Sequence, residues 1–179
     1  MFLFDLLFGR KKESTEAVPA PAPASAPAHV SDAPGTAIHH DPHLIEHLMS
    51  DHQVLLDIFG AITEASKAGD LVEAQKQLEH FRSTIMDHLL KENVRLYIYL
   101  EHLLANDEVA HELMHGFRRE MDAIGKVVVG FLGKYKAIGA RPDLAAQFAH
   151  DLAAIGEALV ARIRREEETL YPMYEAPGP

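Results

Sequence analysis

From residue 41 onward, apolar side chains recur every three or four positions in four successive stretches, a period that admits helices and excludes strands. The first stretch runs Ile45, Leu48, His52, Leu55, Phe59, Ile62, and the second Leu78, Phe81, Ile85, His88, Glu92, Leu96, Tyr99. The third carries Met114, Phe117, Met121, Ile124, Val128 and Phe131, and the fourth Phe148, Leu152, Ile155, Leu159, Arg162, Glu166 and Leu170. Turn and cap residues separate them. Asp41-Pro42 is expected to open the first helix, Gly69-Asp70 and Asn106-Asp107 to divide the next two, and Gly139 with Arg141-Pro142-Asp143 to make the last turn. The fourth helix is expected to stop near Pro172. Long helices joined by short turns pack as antiparallel neighbours. The expected fold is therefore all-α, an up-down-up-down four-helix bundle over residues 41–175. At roughly 140 residues it is long enough to bury a continuous core.

Ahead of the bundle, two segments differ in composition. Residues 1–13 form an apolar tip, Met1 to Phe8, followed by Arg10, Lys11 and Lys12. A secretory signal has the reverse polarity, basic residues before a longer apolar run. The tip therefore reads as either a docking segment for a protein or membrane surface or a frayed end. Residues 14–40 are rich in Pro, Ala and Ser, a composition that buries no core and predicts a disordered tether. No stretch approaches the ~20 apolar residues of a membrane span. The net charge of −10 argues against direct nucleic-acid binding, which needs a basic face. With no cysteine, the chain has neither thiolate ligands nor a thiol nucleophile, and a reducing, cytoplasmic location is expected.

Three of the four apolar stripes are interrupted by ionisable residues. His52 falls on the first; His88 and Glu92, one turn apart, on the second; Arg162 and Glu166, again one turn apart, on the fourth. Burying such groups without partners costs several kcal/mol, so they must satisfy one another or hold a ligand. Counting outward from the turns places all five, with Met121, at one level of the bundle. Histidines and carboxylates meeting inside a helical bundle are how carboxylate-bridged iron sites are made.

The motifs carrying this layer are Asp51-His52, His88-Leu-Leu-Lys-Glu92 with Leu96-Tyr97 downstream, and Arg162-Ile-Arg-Arg-Glu166-Glu-Glu-Thr-Leu170-Tyr171-Pro172. Together they resemble the hemerythrin-like (HHE cation-binding) family over residues 41–175. The resemblance implies a metal site on His52, His88, Glu92 and Glu166. It also implies that two ligand positions are substituted: the third-helix ligand is Met121, and the fourth-helix histidine is Arg162. What remains suits one ion, iron first, with manganese or zinc as alternatives, and not a complete di-iron oxygen carrier. The expected function is metal, oxygen or redox sensing or storage.

His111 and His115, spaced His-x-x-x-His on the third helix, are the one candidate for restoring the lost half. At ~100° per residue, however, they lie about 80° and 120° around the helix from Met121 and more than a turn from the layer. A surface position is expected for both. A second reading uses the arginine itself: a permanent cation between Glu92 and Glu166 replaces the charge of a metal. The bundle is then a metal-free interaction protein. The stretch Ile155 to Arg162 with the acidic residues after it is similar to bacterial anti-sigma regulators of the regulator-of-sigma-D type, which implies a protein partner in transcription.

His39, His40, His43 and His47 are expected to be solvated, Tyr97 and Tyr171 to be packing residues near the bundle end, and the neighbours of Glu166 to face solvent. No nucleotide loop or nucleophile triad is present, and an enzyme is not expected.

Overall fold

The computed structural model describes residues 38–175, which contain helices and turns and no strand. α1 spans Leu44–Lys67, α2 Leu71–Lys91, α3 Ile98–Leu103, α4 Glu108–Tyr135, α5 Ala145–Arg165 and α6 Tyr171–Glu175. Two π-helical segments, Glu92–Tyr97 and Glu166–Leu170, join α2 to α3 and α5 to α6 without a break. The described residues thus make four rods, as the four stripes require. The tip and the linker as far as residue 37 lie outside the described residues. Of the linker's last residues, Ile38 packs against the end of the bundle, and His40 stacks on Tyr174 with ring centroids 4.9 Å apart. The expectation that His40 is solvated is corrected by that contact; His39, His43 and His47 are exposed.

The turns follow from local chemistry. α1 ends in Gly69 at φ 76°, the left-handed conformation that glycine adopts without a Cβ penalty. The Asp70 amide closes the turn on the Ala65 carbonyl at 2.9 Å, and the Asp70 side chain then caps α2 by accepting from the Glu73 amide. Asp107 caps α4 through the amides of Val109 and Ala110.

Two boundaries differ from expectation. Asp41 does not cap α1; its carboxylate accepts from the His43 amide and its carbonyl from Leu44, making a separate turn around Pro42 before the helix begins. Pro172 does not end the last rod. It is the second residue of α6, and its missing N–H falls just after the π segment, where the hydrogen-bond ladder changes register.

Contacts between rods fix their directions. The start of α1 meets the end of α6, where the Asp41 amide donates to Tyr174 Oη at 2.8 Å. Near the α4–α5 turn, Lys134 and Tyr135 both bond Asp151 Oδ2, at 2.8 and 2.7 Å. Gly156 lets α5 approach α1, since a Cβ there would lie 2.8 Å from the Phe59 ring.

The apolar core is in two parts. One, toward the α1–α2 and α4–α5 turns, includes Leu55, Ile62, Phe81, Ile85, Phe131, Phe148 and Leu152. The other, toward the opposite end, includes Leu44, Leu48, Leu96, Tyr97, Phe117, Leu170 and Tyr171. A layer of buried polar side chains lies between them: His52, His88, Glu92, Arg162 and Glu166, each at most 5% exposed.

Candidate metal centre

Each member of the layer is placed by its register. His52 lies one turn beyond Leu48 on α1, His88 one turn beyond Ile85 near the end of α2, and Arg162 near the end of α5. Glu92 and Glu166 are the first residues of the two π segments. A donor atom from each of His52, His88, Glu92 and Glu166 lies within 4.8 Å of the other three. His52 Nε2 is 3.2 Å from Glu166 Oε2, and His88 Nε2 is 4.0 Å from Glu92 Oε2.

Neighbouring side chains orient these donors. His52 Nδ1 meets Glu167 Oε1 at 2.8 Å. A carboxylate can only accept, so Nδ1 carries a proton toward Glu167 and Nε2 is the ring nitrogen left facing the interior, where an ion would take the place of the proton it shares with Glu166. Tyr171 donates its hydroxyl to Glu92 Oε1 at 3.1 Å and lies 3.1 Å from His52 Nε2. On the outer side of His88, Asp51 is held by Lys91 at 3.0 Å, with His88 Nδ1 3.7 Å from the same carboxylate oxygen.

Arg162 fills the opposite side. Its Nε meets Glu166 Oε1 at 2.5 Å and its Nη2 donates to Tyr97 Oη at 2.8 Å. Nη1 points to Glu120 Oε2 at 3.6 Å, and the face of Phe117 lies 5.1 Å from the guanidinium carbon. The expected position between Glu92 and Glu166 is thus only half realised: the guanidinium spans Glu166 and Tyr97, because the tyrosine hydroxyl takes the nitrogen that Glu92 would have bonded. Met121 is buried beside it. Together with Leu55, Phe81, Ile124, Val128 and Ile155, these side chains line an apolar pocket of about 210 Å³ that reaches His52, His88 and Glu166.

Burial sets the protonation states. Desolvation and then the charge of Glu166 push Glu92 up to about 8. Desolvation and then the charge of His52 bring His88 down to about 4, so it is neutral and free to ligate at pH 7. Burial opposes charge on His52, but its bonds to Glu166 and Glu167 outweigh that and raise it.

Do these residues fit an ion? Among the inward-facing donor atoms of the layer, Glu92 Oε2 is buried with no hydrogen-bond partner, and buried polar atoms ordinarily have one. With two imidazoles and two carboxylates converging, the donor set suits one divalent transition ion. A second ion finds no such set: Met121 offers a thioether, and Arg162 puts a fixed positive charge where the ligand would be.

The other sequence candidates fall elsewhere. His111 and His115 do not join the layer; they meet Glu101 instead, outside the bundle's interior. Three groups were missed by sequence reasoning. Tyr171 and Tyr97 are hydrogen-bonded members of the layer rather than packing residues, and Glu167 turns inward to His52 rather than to solvent. A helical wheel at 100° per residue cannot place them, because both π segments widen the turn where these residues sit.

An antiparallel helical bundle with a buried histidine–carboxylate layer defines a class of cation-binding helical proteins. Residues 43–174 match the model of the hemerythrin HHE cation binding domain, and the chain belongs to that family. No curated protein and no solved structure matches the chain significantly.

Proposed function

We propose that the chain is a cation-binding module holding a single divalent ion on His52, His88, Glu92 and Glu166, iron first and manganese or zinc as alternatives. Its role is sensing or storage of metal, oxygen or redox state in a reducing, cytoplasmic compartment, by binding rather than catalysis. The observation that carries this reading is the convergence of four buried donors with Glu92 Oε2 orphaned among them, beside a position closed by Arg162. A bound iron would supply one-electron redox and dioxygen affinity. The chain's own residues do the rest. Glu167 orients the His52 ring, Tyr171 positions Glu92, and apolar side chains line the ligand side.

One observation favours a second reading. The Arg162–Glu166 pair, completed by Tyr97, already neutralises one carboxylate of the layer. On that reading the bundle is a metal-free interaction protein of the anti-sigma kind, which meets its partner through the N-terminal tip or the bundle surface.

Metal analysis of untagged protein separates the two, comparing the parent chain with His88→Ala. Near-stoichiometric metal that is lost in the variant is the expected result. Metal-free protein that stays folded in both forms would reject the single-ion site and favour the second reading.

A further inference from the structure

We propose that Glu101, His111 and His115 form a second divalent-cation site, of the zinc class, that staples the turn between α3 and α4. It stands apart from the central layer and does not depend on that layer binding metal. Glu101 is carried by α3; His111 and His115 lie one turn apart on one face of α4, their ring centroids 4.4 Å apart. Leu104–Asp107 is the only chain between the two helices, and the Asp107 cap fixes where α4 starts. The three side chains are therefore presented to one another by a short, well-anchored corner.

The distances match a coordination sphere. With bonds of 2.0–2.1 Å, neighbouring ligands around a tetrahedral zinc are about 3.3 Å apart. His111 Nε2 is 3.1 Å from Glu101 Oε1, and His115 Nε2 is 3.4 Å from the same oxygen. As a hydrogen-bond arrangement this is poor. Two imidazoles crowd one carboxylate oxygen, while Glu101 Oε2 is buried with no hydrogen-bond donor. Among the described residues, Arg118 Nη1 lies 3.8 Å from that oxygen. A metal resolves both faults by taking the imidazole lone pairs and the carboxylate together.

Two imidazoles and one carboxylate select zinc and its borderline neighbours over calcium or magnesium, which require oxygen donors. Side-chain exposures of 31–34% leave water to complete the sphere. Arg118 sets the strength: its charge opposes a bound cation, so removing it should tighten binding.

The test uses full-length untagged protein carrying His88→Ala, so that the central layer does not contribute, titrated with Zn²⁺ by calorimetry and followed by thermal melting. One equivalent of zinc should bind and raise the melting temperature. Adding His111→Ala or Glu101→Gln should weaken that binding at least tenfold and abolish the shift; adding His39→Ala and His43→Ala should leave both unchanged, and adding Arg118→Ala should tighten binding. Glu101→Gln keeps the side chain's shape, so it reports on coordination even if a histidine variant loses helix. No zinc bound by the His88→Ala protein, or binding that survives both His111→Ala and Glu101→Gln, would overturn the proposal. Neither result bears on the central layer, whose metal is read from the parent chain.

Discussion

Arg162 is the residue on which the two readings of the central layer divide. Its bonds to Glu166 and Tyr97 make it the counter-ion of a carboxylate that is 1% exposed. Removing one partner of a buried ion pair strands the other, at a cost of about 3 kcal/mol. Arg162→Ala should therefore lower the urea midpoint strongly in chelator-treated protein. If Glu166 also ligates an ion, the loss should be clearly smaller once metal is supplied, because the ion replaces the lost charge. An equal loss with and without metal would mean that Glu166 does not ligate. The arginine's presence at a histidine position is legible in the motif. Its partner Tyr97 is not, since the two are brought together from 65 residues apart by packing alone.

At the level of elements, the two π segments do what the rods could not. Each begins on a motif carboxylate, Glu92 or Glu166, and each ends just before or on a tyrosine of the layer. A π turn holds one residue more than an α turn, so consecutive residues such as Leu96 and Tyr97, or Leu170 and Tyr171, are both buried. Asn93 supports the first segment by donating its side-chain amide to the Leu89 carbonyl at 3.0 Å. Because the π turn holds that one extra residue, deleting Asn93 should restore α-helical bonding and leave Leu96 and Tyr97 on their present faces, whereas inserting an alanine after Asn93 should turn every later residue of that rod by about 100°. Tyr97 would then leave Arg162, and Leu96 would leave the core. The insertion should lower the melting temperature well beyond what the deletion does. Equal effects from the two changes would show that the register of this segment is not what holds Tyr97 and Leu96 in place.

For the whole molecule, a polar layer between two apolar cores makes stability depend on pH with a definite sign. Glu92, raised from 4.5 to about 8, binds its proton more readily in the folded state, so its stabilisation is full below pH 4.5 and is lost as pH rises toward 8. His88, lowered from 6.5 to about 4, acts oppositely, adding stability as pH rises from 4 to 6.5. The two offset each other between pH 4.5 and 6.5. Above 6.5 only Glu92 and the raised His52 remain, and both favour the lower pH. Chelated protein should thus lose about 1–2 kcal/mol between pH 6.5 and 8, measured by urea unfolding. Over the same window affinity for a divalent ion should rise, because the ion takes the deprotonated carboxylate and the neutral imidazole. Flat stability across that window would mean that Glu92 is not titrating there.

The four helices, their short turns and the ionisable residues on the buried stripes were legible in the sequence, because helical period and cap chemistry are local properties of the chain. So was the level at which His52, His88, Glu92, Arg162 and Glu166 meet, since register counted from the turns is arithmetic on helix rise. What only the tertiary structure decided is how each polar group is satisfied. The π segments rotate Glu167 and the two tyrosines into the layer, Tyr97 takes the arginine nitrogen that Glu92 was expected to bond, and His111 and His115 turn to Glu101. Those choices depend on which side chains from distant rods reach the same few ångströms of space, and no single helix carries that information.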